Sequence, residues 1–138
     1  QASGLNVSNY GTVLVTIADM DKPTALPLIR RFYELGFNIE ATEGTANFLK
    51  KHGIRTRIRA KLTSDGSDEI LMALRQGHIS YVINTIDVSH GDSHSDGSEI
   101  RRAAVENNVT MFTSLDTVKV LLDVLEEITL GVSTIDAE

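Results

Sequence analysis

Apolar positions along the chain follow two alternating rhythms. Short runs with almost no polar interruption read as strands covered on both faces: Thr12-Val13-Leu14-Val15-Thr16-Ile17, Phe37 to Ala41, Tyr81-Val82-Ile83-Asn84 and Val109 to Phe112. Between them the spacing becomes helical. Leu26, Ile29, Phe32 or Tyr33, and Leu35 mark a helix capped from Asp19 or Asp21 and ended by Gly36. Thr45 to His52 forms a second helix that stops at Gly53. After a turn at Ser64-Asp65-Gly66-Ser67, Ser67 or Asp68 caps a third, which carries Ile70, Leu71 and Leu74 and ends at Gly77. A fourth runs from Asp96 or Ser98 to Asn107-Asn108, and Leu115 to Leu125 is an amphipathic closing helix. Ile54 to Ala60 alternates Arg and Thr with small or apolar residues, the pattern of a half-exposed edge strand. Pro23 suits a first helical turn, but Pro27 lacks the N–H an interior position requires. The first helix should therefore have an irregular first turn or begin near Thr24 or Leu26.

Strand and helix thus alternate about five times at short spacing. Each parallel connection needs a right-handed crossover, so the order predicts a three-layer, doubly wound α/β fold with helices on both faces of a parallel sheet. Ligands of such sheets sit outside the carboxyl ends of the strands. Here those ends deliver Asp19 to Lys22, Thr42 to Thr45, Lys61, Asn84-Thr85 and Thr113-Ser114.

Among these ends, Ala41-Thr42-Glu43-Gly44-Thr45-Ala46 lies where a strand becomes a helix. The free N–H groups of a first turn, two hydroxyls and a glycine that admits close approach suit an anion. Taken alone, a Thr before a helix is more often a plain N-cap. Two lysines on the same rim shift the balance towards a phosphate-bearing small ligand, with Asn84 able to read a sugar or base edge.

Composition narrows the chemistry further. The 138 residues fit one domain. There is no Cys, which excludes disulfides and thiolate sites, and a formal charge of −6 argues against nucleic-acid or membrane-surface binding, so a bound anion must be held locally. No apolar run spans a bilayer, the start Gln1 to Leu5 lacks the basic and hydrophobic regions of a signal peptide, and a cytoplasmic location is expected. The polar start, Gln1 to Tyr10, without an initiator Met, reads as a linker cut from a longer polypeptide. His90, Asp92, His94 and Asp96 alternate in the segment 86–97, where a solvated loop is a better reading than a metal site. His52 and His78 read as partners of helix C-termini, and Arg55, Arg57, Arg59, Arg101 and Arg102 as solvated faces or an interdomain interface. No dinucleotide fingerprint, Walker loop or serine elbow is present.

The segments Gly11 to Lys22, Gly36 to Ala46, Tyr81 to Thr85 and Ile100 to Ala104 together resemble the methylglyoxal-synthase-like domain, specifically the C-terminal allosteric domain of the carbamoyl-phosphate synthase large subunit. The resemblance runs from Gly11 to about Glu127 and implies a five-stranded parallel sheet of order 3-2-1-4-5, residues 11–138 forming the allosteric domain and 1–10 the junction with a synthetase domain. It implies a nucleotide effector such as UMP, IMP or phosphoribosyl pyrophosphate, and as partners the synthetase domains of the same chain and a small glutaminase subunit. No cofactor is implied for the domain itself; the parent enzyme would use ATP with Mg or Mn. Carried over by position, phosphate contacts fall on Lys22, Thr42, Gly44, Thr45 and Lys61, the ribose and base side on Asn84, Thr85, Asp96 and Ile100, and an interface or second effector site on Thr113. Ile86 and the loop 87–96 depart from the family pattern. The alternative is methylglyoxal synthase acting on dihydroxyacetone phosphate. That enzyme has Gly-Gly-Asp and Pro-His-Asp-Pro segments, where this chain has Asp65-Gly66-Ser67-Asp68 and Ser93-His94-Ser95-Asp96.

Overall fold

The computed structural model describes residues 11–59, 69–85 and 100–137, with side chains to residue 129. The elements are β1 (Thr12–Thr16), a 3-10 turn (Asp19–Asp21), α1 (Lys22–Glu34), β2 (Asn38–Ala41), α2 (Glu43–Lys51), β3 (Thr56–Ile58), α3 (Glu69–Gln76), β4 (Ile79–Asn84), α4 (100–106), β5 (Thr110–Phe112) and α5 (Leu115–Ala137). All pairings are parallel, in the order β3-β2-β1-β4-β5, as expected. β3 is an edge strand, also as expected.

Two apolar clusters flank the sheet. Val13, Val15, Ile39, Ala41, Tyr81 and Ile83 point to the side occupied by α1, α2 and α5, with Phe32, Leu49 and Leu122 fully buried against them. Leu14, Ile79 and Val82 point the other way, against Ile70 and Leu74 of α3 and Ala103 and Ala104 of α4. Successive strand residues face opposite sides, which is why β1 contributes to both clusters without a polar interruption.

Glycines turn the chain where a helix hands over to a strand. Gly36 has φ +103°, and behind it Phe37 N–H donates to the Phe32 carbonyl at 3.1 Å while Gly36 N–H donates to Tyr33 at 3.1 Å. This is the Schellman closure, completed by the Phe32 and Phe37 rings, 5.2 Å apart and edge to face.

Several boundaries differ from expectation. The first helix does have an irregular first turn, but the α-helix starts at Lys22 rather than Thr24 or Leu26. Neither Asp19 nor Asp21 caps it through a side chain. α2 starts at Glu43, two residues before Thr45, β4 starts at Ile79 and α5 continues past Leu125 to Ala137. The linker 1–10, the turn 64–67 with its caps, the segment 86–97, and Lys61, Asp96 and Ser98 lie outside the described residues.

Candidate functional site

The carboxyl ends of β1, β2, β4 and β5 form one rim, and the end of β1 is tied to both neighbours. On one side the Ile17 N–H donates to Thr45 Oγ1 at 3.3 Å, and the same hydroxyl faces the Ile17 carbonyl at 3.5 Å. On the other, Ala18 N–H donates to Thr85 Oγ1 at 3.1 Å and Thr85 N–H donates to the Thr16 carbonyl at 3.0 Å. The Thr16 hydroxyl donates to Asn84 Oδ1 at 2.8 Å in a buried contact. These bonds hold the end of β1 between the start of α2 and the end of β4, at the switch point where the chain order of the sheet reverses.

Over the start of α2 lies Lys22. A Cβ built on Gly44 would stand 3.7 Å from Lys22 Nζ, so the ammonium rests against the first turn of that helix. Glu43, Gly44 and Thr45 open α2, and Ala46 N–H is the first to bond within it, to Thr42 O at 2.7 Å. The amides before it therefore lack intrahelical acceptors. Thr42 stands at the N-cap with extended backbone, yet its side chain makes no capping bond. Two positive features, an ammonium and a helix N-terminus, thus share one place and together favour an anion. The carboxylate of Asp19 answers Lys22, and the contact holds Asp19 below the usual carboxylate range through its hydrogen bond first and the charge second. Asp19 is itself 93 % exposed at its side chain against 14 % for Lys22, so the acid can swing into water while the lysine stays.

Beside this place a shallow hollow of about 320 Å³ is lined by Asp21, Thr85, Thr113 and Ser114. Ser114 Oγ also accepts from Asp116 N–H at 3.2 Å, capping α5.

The structure therefore brings Lys22, Thr42 and Gly44 together, with Thr85 and Thr113 on the adjoining hollow. It assigns Thr45 differently from the expectation: the residue is 2 % exposed and its hydroxyl is engaged with Ile17. Asn84 is 7 % exposed and its oxygen is held by Thr16. Ile100 is a core residue, 3 % exposed within the cluster around Leu14 and Leu74. Asp19, expected as a helix cap and among the residues at the end of β1, pairs with Lys22, and its spacing of three from that lysine at a helix start is the sequence signal for the pair.

Other expectations resolve away from the rim. His52 Nδ1 lies 2.9 Å from the Phe48 carbonyl in the last turn of α2, as a helix-end partner should. His78 instead lies 3.3 Å from Glu40. Arg59 is no solvated residue: its Nε donates to Glu40 at 2.8 Å, a carboxylate only 5 % exposed as a residue, and this bond raises the Arg59 pKa further. Among the described residues there is no group of three or more His, Asp or Glu that could hold a metal ion, and no helix long and apolar enough to cross a membrane.

The family model described as MGS-like domain matches residues 24–113, more than half of the 138-residue chain. The matched span contains Thr42, Gly44, Thr45, Asn84, Thr85 and Thr113; Lys22 stands just before it.

Proposed function

The chain belongs to the MGS-like domain family, and we propose that within it this is a regulatory domain of the carbamoyl-phosphate synthase large subunit that binds a phosphorylated nucleotide such as UMP. The observation that carries this reading is the Lys22 ammonium resting against Gly44 at the start of α2. A phosphate there receives the free amides of the first turn, the unengaged Thr42 hydroxyl and the ammonium, while Asp19 yields its place. Lys61, which lies outside the described residues, is proposed as the second cation on the resemblance alone. The sugar lies towards Thr85 and the hollow beside Thr113.

Regulation follows from differential affinity. If the synthetase domains hold the rim differently in their active and less active states, an effector that prefers one state shifts the balance by its affinity ratio and no more. The chain just past β1 is bonded to both Thr45 of α2 and Thr85 beyond β4, so a shift at the phosphate site would be shared by both neighbours.

Thermal unfolding of the 138-residue chain with UMP, IMP and phosphoribosyl pyrophosphate tests this reading, since a ligand of the folded state raises its stability by mass action. We expect at least one of the three to raise the midpoint, and Lys22→Ala to lose about 1.5–3 kcal/mol of that binding, the worth of one charged hydrogen bond. Phosphate release from dihydroxyacetone phosphate would overturn the regulatory reading in favour of methylglyoxal synthase chemistry. No response to any of the three would remove the nucleotide.

A further inference from the structure

Among the described residues, the two faces of the sheet are covered unequally. α1, α2 and α5 pack on one face, while among the described residues only α3 and α4 pack on the other, against β1, β4 and the start of β5. The β2 and β3 part of that second face carries a cleft of about 670 Å³ lined by Asn38, Glu40, Arg55, Arg57, Arg59 and His78. Thr12 and Asn38, which also line it, are the first residues of β1 and β2. The cleft thus reaches the amino ends of β1 and β2, and none of Lys22, Thr42 and Gly44 lines it.

Its three arginines are not equivalent. Arg59 makes two bonds to the Glu40 carboxylate, at 2.8 and 3.4 Å, so this pair is neutral and fixed on the cleft wall. Arg55 and Arg57 are exposed and make no ion pair among the described residues. Arg55 stands just before β3 and Arg57 within it, and both line the cleft; two positions along an extended chain span about 6–7 Å. A single-centred anion engages one guanidinium. An anion with charged ends several ångströms apart engages both, each through the planar fork that suits carboxylate and phosphoryl oxygens. The neutralised Glu40 does not oppose it, and Gln76 and His78, the latter 3.3 Å from Glu40, also line the cleft. In a chain of net charge −6, two unpaired cations in one concave place are a local exception that a complementary ligand explains.

We propose that this cleft is a second anion site, distinct from the rim, which takes a small two-headed anion of the dicarboxylate or diphosphate class through Arg55 and Arg57. Calorimetry on the 138-residue chain tests it with glutarate, pyrophosphate and acetate at ionic strength matched by chloride, repeated on Arg55→Gln/Arg57→Gln and on Lys22→Gln. Both arginines are surface residues, and a thermal melt of each variant confirms folding. Glutarate or pyrophosphate should bind at least tenfold more tightly than acetate, lose at least tenfold in the double arginine variant and stay within twofold in Lys22→Gln. Glutarate identifies the carboxylate class, pyrophosphate binding that persists in Lys22→Gln the phosphoryl class. The proposal is overturned if neither anion binds, if acetate binds as well, if the arginine variant keeps the affinity, or if Lys22→Gln alone removes it.

Discussion

Gly44 and Thr45 sit side by side at the start of α2 and do opposite things. At Gly44 a methyl group would meet only Lys22 Nζ, at the ordinary contact distance of 3.7 Å. The backbone there is helical, so Ala narrows the unfolded ensemble and stabilises by about 0.4–1 kcal/mol. The same methyl fills the space through which an anion reaches the first-turn amides. Gly44→Ala is therefore expected to raise the urea midpoint while weakening UMP binding about tenfold or more, a division between stability and affinity that equilibrium unfolding and calorimetry resolve. Thr45 has the reverse profile. Its hydroxyl satisfies the buried Ile17 N–H, so Thr45→Val leaves that donor without an acceptor and should cost about 1–3 kcal/mol of stability in the same unfolding assay. The sequence could not separate the two roles of this threonine. A hydroxyl near a helix start serves a ligand or a neighbouring strand equally well, and the deciding contact lies 28 residues away in the chain.

At the scale of elements, helix ends were legible where a residue favours left-handed backbone. Gly36, Gly53 and Gly77 all carry positive φ, and Asn108, at φ 58°, closes α4 in the same way, with Val109 N–H donating to the Ala104 carbonyl at 2.8 Å. Helix starts were less legible, because Asp19 and Asp21 have the chemistry of caps and do not cap. The extent of α5 was also hidden. Its continuation is fixed partly by Arg31 of α1, which donates to Glu126 at 3.0 and 2.7 Å and to Asp123 at 2.9 Å, a clamp across 95 residues of sequence. This clamp holds the Glu126 carboxyl below its ordinary range, chiefly through the hydrogen bond from Arg31. A depressed carboxylate pKa stabilises the fold above the unfolded value, about 4.3 for Glu, and that contribution fades as pH falls through the lower folded value. Glu126 is 40 % exposed, so solvent screening limits the clamp to about 0.5–1 kcal/mol. Arg31→Gln should therefore be less stable by about that amount at pH 7, with the gap closing as pH falls below the unfolded Glu value of about 4.3 and narrowing in 1 M salt. Denaturant titrations of the two proteins across that range measure it.

For the whole molecule, the parallel sheet was legible because β1 and β4 lack the polar alternation of a half-exposed strand, and the connections between strands are of crossover length. The rim followed from the topology, since a parallel sheet gathers the carboxyl ends of all its strands. The cleft over β2 and β3 was not legible: Arg55, Arg57 and Arg59 alternate identically in sequence, and only the fold gives Arg59 a carboxylate and leaves the other two without one among the described residues. Charge at this scale also bears on how a phosphate arrives. The protein as a whole carries −6, and at the described rim Asp19 pairs with Lys22, Asp21 and Asp116 line the adjoining hollow and Glu43 opens α2. A nucleotide phosphate is therefore repelled at a distance and attracted only on contact, through the ammonium and the first-turn amides. At about 10 mM salt the screening length is about 30 Å and the full charge is felt, whereas at about 100 mM it falls to about 10 Å and most of the repulsion is gone. The association rate of UMP should accordingly rise over that interval, opposite to the trend for a basic protein steering an anion. Stopped-flow mixing at several salt concentrations reads this directly. A rate that falls instead would require a stronger positive field at the rim than Lys22 and α2 provide, and repeating the series on Lys61→Ala would show whether that field comes from Lys61.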